Sequence, residues 1–343
     1  MRRTLPVSRV RLPQVLALTL ATGLVLAACG SGDPSGGGDA GSDVAGETDD
    51  GGAGGEDLTP ITVGVLPIVD TAAIYLGVDQ GFDEEEGLDV ELEVASGGAA
   101  VVPGVTSGSY QFGFSNAVSV MVARDKGLPL KVVSAAVGST GDPDADMGAI
   151  MQGPDGTYED AGDLEGARVA VNNVASIGTV LVGHVVEKNG GDPSTIEFVE
   201  LGFPDMPAAL ERGEVDAAWI FEPFITIASG TGSEVLTHLL VETDPELMLS
   251  VYFADEGYLA ENPEVHEKFV DATKRSLDFA DENPDEVREI LSTYTQIPDE
   301  VRAEVVLPRY PSEVNVESLE LLAELAQQDG LIGDGFDVGS VLP

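Results

Sequence analysis

Cysteine occurs once in 343 residues, at position 29, so the chain can build neither an internal disulfide framework nor a cysteine metal site. Histidine is almost as scarce. His184, His238 and His266 stand alone on or beside helical patterns, with no second histidine or carboxylate at ligand spacing, which removes the usual zinc signatures, and each reads as a surface or packing histidine rather than a catalyst. Basic residues are few: 16 lysines and arginines stand against 61 aspartates and glutamates, a formal charge of -45. Nucleic acid and anionic membrane surfaces both need a basic patch, so neither fits as a partner. No Walker loop is present, and Ser96-Gly97-Gly98 does not meet the dinucleotide fingerprint. No catalytic, cofactor or metal constellation is expected, and the chain does not read as an enzyme.

What is present begins at the N-terminus. Arg2, Arg3, Arg9 and Arg11 precede an apolar run at residues 15–28 that is too short to span a bilayer comfortably, the arrangement of an export signal rather than of a transmembrane helix. The run closes on Leu26-Ala27-Ala28-Cys29, which resembles a bacterial lipobox. Residues 1–28 then read as a lipoprotein signal peptide and Cys29 as the lipid attachment point; several acyl chains, each CH₂ contributing roughly 0.8 kcal/mol when buried, anchor a protein where one chain does not. Residues 29–58 are rich in glycine, serine and acids, contain no base, and read as a disordered linker with an r.m.s. span on the order of 30 Å.

Beyond the linker the pattern turns to alternating strands and helices. Strands are read at 61–66, 90–94, 111–115 and 130–136, with helices at 72–80 and 116–126. After the Gly141-Asp142-Pro143 break the same logic returns, with strands at 147–151, 168–171, 197–200 and 215–220 and helices at 158–164, 179–189 and from Met206 to Gly213. A strand at 250–254 follows Thr243-Asp244-Pro245, and the remainder is helical at 263–282, 284–294, 299–306 and 316–329. Asp205, Asn262 and Asn283 are expected N-caps, each ahead of a proline in the first turn, and the C-terminal helices are expected to cover the first unit. The fold class that follows is α/β: two lobes, each a mostly parallel sheet flanked by helices, formed by 59–142 with 250–343 and by 143–249.

Small polar residues gather where strands give way to helices. Ser115-Asn116 ends one strand and opens a helix; Ser176, Gly178 and Thr179 follow strand 168–171 and open another. Helix N-termini present unpaired N–H groups and the positive end of the dipole, a contribution of roughly 0.3 to 2 kcal/mol toward an anionic or acceptor-rich group. Plain N-capping explains either junction alone; two of them in two lobes would face one another across a cleft. Asp70, just past the first strand, and Glu222, held extended by Pro223 past strand 215–220, lie at the edge where open α/β sheets bind ligands. Asp70 suits an amine or an amino-heterocycle. The cleft loops offer no arginine to clamp an anion, and Phe114, Phe203, Phe221 or Phe224 are placed to stack on a ring.

In order, the lipobox, the acidic linker, VGVLPIVDTAAIYLGVDQGFDEEEGLDVEL, FGFSNAVSV, DLEGARVAVNNVASIGT and MPAALERGEVDAAWIFEPF resemble the solute-binding lipoproteins of ABC importers, in the group of the nitrate, sulfonate and taurine binders and the thiamine-pyrimidine (NMT1/THI5-like) proteins. Gly81-Phe82, Glu86-Gly87-Leu88-Asp89-Val90 and Glu222-Pro223-Phe224 carry the resemblance most clearly, and it spans residues 60–290. It implies a type II periplasmic-binding-protein fold closing on its ligand as a hinge, with cleft roles for Asp70, Asn116, Ser176, Thr179 and Glu222. As partners it implies a small-molecule ligand, an ABC permease and an ATPase, for a monomer held outside the cytoplasm by its lipid. The acids of the cleft, without an arginine, favour a thiamine-pyrimidine-like heterocycle over sulfonate, taurine or nitrate. Pyrimidine synthases of the same fold use a cysteine-rich iron motif and a cleft histidine, whereas Cys29 is committed to the anchor. A ligand sensor without transport is the other alternative.

Overall fold

The computed structural model describes residues 58–343 apart from Ser96; the expected export signal, Cys29 and the expected linker up to Asp57 lie outside the described residues. Among the described residues ten strands form two five-stranded mixed sheets, one in each lobe. The first sheet holds β1 (Thr59–Val65), β2 (Leu88–Val94), β3 (Phe112–Asn116) and β4 (Leu130–Gly138). The second holds β5 (Gly148–Gln152), β6 (Arg168–Val171), β7 (Glu197–Glu200), β8 (Ala217–Phe221) and β9 (Glu234–Thr237). The last strand, β10 (Met248–Asp255), belongs to the first sheet, so the orders are β2-β1-β3-β10-β4 and β7-β6-β8-β5-β9.

Each sheet is parallel except for the strand that enters from the other lobe. β5 arrives from the first sheet and runs antiparallel between β8 and β9; β10 arrives from the second and runs antiparallel between β3 and β4. β8 and β5 are buried at every position, and in β8 the side chains of Ala217, Trp219 and Phe221 point one way while Ala218 and Ile220 point the other. The short edge strand β9 and the helices Phe224–Gly230 and Leu239–Thr243 were not expected from the sequence; each is brief and broken by Gly232, Ser233 or His238.

The first crossover is knotted around one acid. Asp146 is fully buried and accepts hydrogen bonds from Ser139 Oγ (2.7 Å), Thr140 N (3.1 Å), Met147 N (2.8 Å) and Val241 N (3.0 Å). Its own N–H donates to His238 Nδ1 at 3.2 Å. The second crossover is held by the helix Val316–Gln328, whose Ser318 Oγ donates to Glu246 O and accepts from Met248 N at 3.0 Å.

Three expected caps are not made as expected. Asn262 and Asn283 do precede N1 prolines, but their Nδ2 groups turn back to the carbonyls of Tyr258 and Phe279, tying off the preceding helix instead of opening the next. Asp205 already lies in helical backbone at the end of a 3₁₀ turn, Phe203–Asp205, and caps nothing. Of the C-terminal helices, Pro263–Glu282 and Pro284–Tyr294 lie on Ala72–Gln80 of the first lobe, as expected. Val316–Gln328 instead packs against both Ala117–Asp125 and Ile177–Lys188, one helix from each lobe.

Candidate functional site

The carboxyl ends of the parallel strands in both sheets point into one cleft. The loops after β1 and β3 meet those after β6, β7 and β8, the edge at which open α/β sheets present backbone N–H groups and short polar side chains. An outer chamber of about 540 Å³ is lined by Pro67, Asn116 and Ser119 from the first lobe and by Asn173, Ser176, Pro204 and Phe224 from the second. Beneath it is a recess of about 50 Å³, walled by Asp70, Phe114, Asn172, Trp219, Phe221 and Ser250. Leu66, Ile68, Gly98, Asn116, Asn172 and Phe203 border both. Among the described residues lining either space there is no lysine, arginine or histidine.

Asp70 stands on a loop pinned from several sides. Thr71 Oγ1 donates to Leu66 O (2.6 Å), Tyr294 OH to Ile68 O (3.0 Å) and Tyr310 OH to Val69 O (3.1 Å). Tyr294 is itself fixed by stacking on Tyr75, with ring centroids 3.7 Å apart. The Asp70 side chain is 4 % exposed and its Oδ1 is buried without a hydrogen-bond partner. Burial raises its carboxyl to about 7, its own backbone N–H offsetting part of the rise.

The opposite wall is aromatic. Phe203, Trp219 and Phe221 pack edge to face, with centroids 4.8 to 5.8 Å apart. Gly178 lets the indole sit where it does, since a Cβ there would fall 2.5 Å from Trp219 Cε3. Gly178→Ala is expected to push the ring, cost about 1 to 3 kcal/mol and shift the emission of this sole tryptophan. Denaturation followed by fluorescence checks this; an unchanged spectrum and midpoint would show that the wall yields freely.

The expected site residues separate into two groups. Asp70, Asn116, Ser176 and Phe203 line the cleft. Asn116 spends its Oδ1 on capping Ser119 N at 2.8 Å, whereas Ser176 makes no such cap and its Oγ lies 3.3 Å from Ser119 Oγ, so the two helix starts touch across the lobes. Ser115, Gly178, Thr179 and Glu222 line neither space. Ser115 is sealed under Gly98, Thr179 Oγ1 donates to Ser176 O, and Gly178 acts only through Trp219. Glu222 is 2 % exposed and accepts from Thr226 N, Thr226 Oγ1 and Val306 N, fastening the residues after helix Asp299–Glu304 onto the second lobe. Burial raises its carboxyl as well.

Asn172 and Trp219 were missed. Asn172 follows β6 directly and could have been found by the carboxyl-edge rule; Trp219 sits inside an all-apolar strand and reads only as core.

Known proteins extend this picture. The formylaminopyrimidine-binding protein of Halalkalibacterium halodurans is 25 % identical over 256 residues, 73 % of this chain and 72 % of that protein. The 4-amino-5-hydroxymethyl-2-methylpyrimidine phosphate synthase of Aspergillus parasiticus is 26 % identical over 220 residues, 61 % of this chain and 62 % of that one. The alkanesulfonate-binding protein SsuA of Xanthomonas axonopodis pv. citri, solved with MOPS bound, shares the fold with a TM-score of 0.69 at 16 % identity, covering 84 % of this chain and 99 % of that one. Residues 69–287 match the family described as NMT1/THI5 like, and with that match over more than half its length the chain belongs to the NMT1/THI5-like family.

Proposed function

We propose that this protein is the extracytoplasmic solute-binding component of an ABC importer, capturing a small polar organic ligand between its lobes and delivering it to a permease driven by an ATPase. The ligand favoured is a nitrogen heterocycle of the thiamine-pyrimidine kind, over sulfonate, taurine or nitrate. One observation carries this reading: the cleft is lined by a buried carboxylate, amides, hydroxyls and aromatic rings, without a cation. An inorganic or sulfonate anion would meet Asp70 with no lysine, arginine or histidine beside it, and only the helix starts at Asn116 and Ser176 to favour it. A heterocycle bearing N–H donors meets acceptors and flat apolar walls. The Halalkalibacterium relative, named for a formylaminopyrimidine, supports the same direction.

Closure would move residues 59–142 with 250–343 against 143–249, and lipid on Cys29 would keep the protein near its permease on the linker. The synthase reading has the Aspergillus relative in its favour, but none of His184, His238 and His266 lines the cleft.

Titration calorimetry against formylaminopyrimidines, riboflavin, taurine, alkanesulfonates and nitrate tests the reading. Heat and saturation are expected with a pyrimidine. Binding confined to the sulfonates or nitrate would overturn the ligand class, and binding of none would remove the solute-capture reading.

A further inference from the structure

Residues 294–310, which follow the last strand of the first sheet, grip the frame of the cleft at several points. Tyr294 OH and Tyr310 OH hold the carbonyls of Ile68 and Val69, and Ile68 borders both the chamber and the recess. Arg309 pairs with Gly138 at the end of β4, where the first crossover leaves: Gly138 N donates to Arg309 O at 3.1 Å and Arg309 N to Gly138 O at 3.3 Å. Between these grips the same segment reaches the second lobe. Val306 N donates to Glu222 Oε1 at 3.3 Å, and the helix Asp299–Glu304 lies against Phe224–Gly230. Glu222 stands between Phe221, a wall of the recess, and Phe224, a wall of the chamber.

The identity of the residue at 222 sharpens this. A buried carboxylate is destabilising unless its oxygens are well served, and the donors here are Thr226 N (3.2 Å), Thr226 Oγ1 (3.0 Å) and Val306 N, none of them a cation. A serine or asparagine would serve the start of the short helix Phe224–Gly230 with less desolvation. The carboxylate adds length and acceptor capacity. Its Oε2 stays with its own helix, while Oε1 is shared between Thr226 Oγ1 and a backbone N–H from the far end of the chain.

We infer that Glu222 is a positioning residue for the cleft: by holding Val306 it ties residues 294–310 to the second lobe, and because that segment also holds Ile68 and Val69, the two walls of the ligand space are coupled through one strap. Its role in capture rests on the proposed function, whereas the coupling itself does not depend on any ligand. A rotation of the second lobe must then either carry the Ile68–Val69 loop with it through the strap or break the bond to Glu222.

Hydrogen exchange of the full-length, ligand-free protein, read by mass spectrometry, tests the coupling. In Glu222→Ala, exchange should quicken roughly fivefold or more in peptides spanning Phe221–Gly230, in those of residues 294–310 and in those spanning Ile68 and Val69. Val306→Pro removes the same bond from the other side without touching the second lobe, and Val305, at φ -57° and ψ 136°, already has the backbone that a following proline requires. It should quicken the same peptides, and it carries the test if the alanine variant does not fold. Glu222→Gln separates the two roles: its amide oxygen still accepts from Val306 N and Thr226 Oγ1, but its NH₂ faces Thr226 N, so only the helix start should loosen. Peptides spanning Ile68 and Val69 that stay within about twofold of the parent in folded Glu222→Ala or Val306→Pro would overturn the inference. So would equal remote effects of the glutamine and alanine variants. Whichever compound of the calorimetric panel saturates the parent should bind Glu222→Ala and Val306→Pro more weakly by a similar factor; affinities unchanged within about twofold would overturn the role in capture. A panel silent toward the parent, with the coupled exchange present, would remove solute capture and leave the strap.

Discussion

Asp146→Ala is expected to lower the free energy of unfolding by about 4 kcal/mol or more, a large share of the roughly 5 to 15 kcal/mol of a typical domain. The carboxylate is fully buried and gathers Ser139 Oγ, Thr140 N, Met147 N and Val241 N, three of them backbone groups. Truncation removes charge-assisted bonds worth about 1.5 to 3 kcal/mol each and strands the donors away from water. Asp146→Asn keeps one acceptor and turns an NH₂ toward the remaining donors, so it should fall between parent and alanine. Guanidinium melts with an unchanged slope measure the loss as a shift in midpoint. A loss under about 1 kcal/mol in the alanine variant would mean that water replaces the carboxylate at the crossover.

Raising the pH should destabilise the ligand-free protein through two other acids. Burial raises Asp70 from 3.8 to about 7 and Asp83 from 3.8 to about 6, with a backbone N–H offsetting part of each rise. Both folded values lie above the unfolded ones, so the folded chain holds these protons more tightly. The stability they contribute is fully present below pH 3.8 and is lost as the pH climbs through about 6 for Asp83 and about 7 for Asp70. At about 1.4 kcal/mol per unit the loss is about 4 kcal/mol for Asp70 and about 3 kcal/mol for Asp83. Other carboxylates also titrate over this range, and comparison with Asp70→Asn and Asp83→Asn isolates these two. Each variant should gain on the parent between pH 4 and pH 8, Asp70→Asn the more. Equal pH slopes of stability in parent and variants would sink the assignment.

Local pattern reaches some features of this protein and not others, and the division is physical. The helices Ala72–Gln80, Pro263–Glu282 and Pro284–Tyr294 and the strands Arg168–Val171 and Glu197–Glu200 are legible to the residue, because periodicity, glycine stops and N1 prolines act within a few positions. Asp70 at the end of β1 is legible for the same reason, as the acid at a carboxyl edge. The tyrosines that hold it are not, since Tyr294 and Tyr310 arrive 226 and 241 positions later than the carbonyls they meet. Glu222 shows the opposite failure. Its place beyond β8 is as expected, yet its side chain turns to Thr226 and Val306, and which way a side chain turns depends on a neighbour the local sequence does not contain. The capping asparagines err in the same manner, choosing the helix behind them.

The position of β10 sets an order of assembly opposed to the order of synthesis. All five strands of the second sheet lie in one continuous stretch, from Gly148 to Thr237, and can pair as soon as that stretch exists. The first sheet begins earlier but cannot be completed: β3 and β4 have no partner between them until Met248–Asp255 has been made. A nascent chain that has emerged only as far as the second lobe therefore carries two open strand edges, the kind of surface on which chains pair wrongly with one another. The lobe that is made second is the one able to finish first, and a fragment ending before residue 248 keeps those edges permanently.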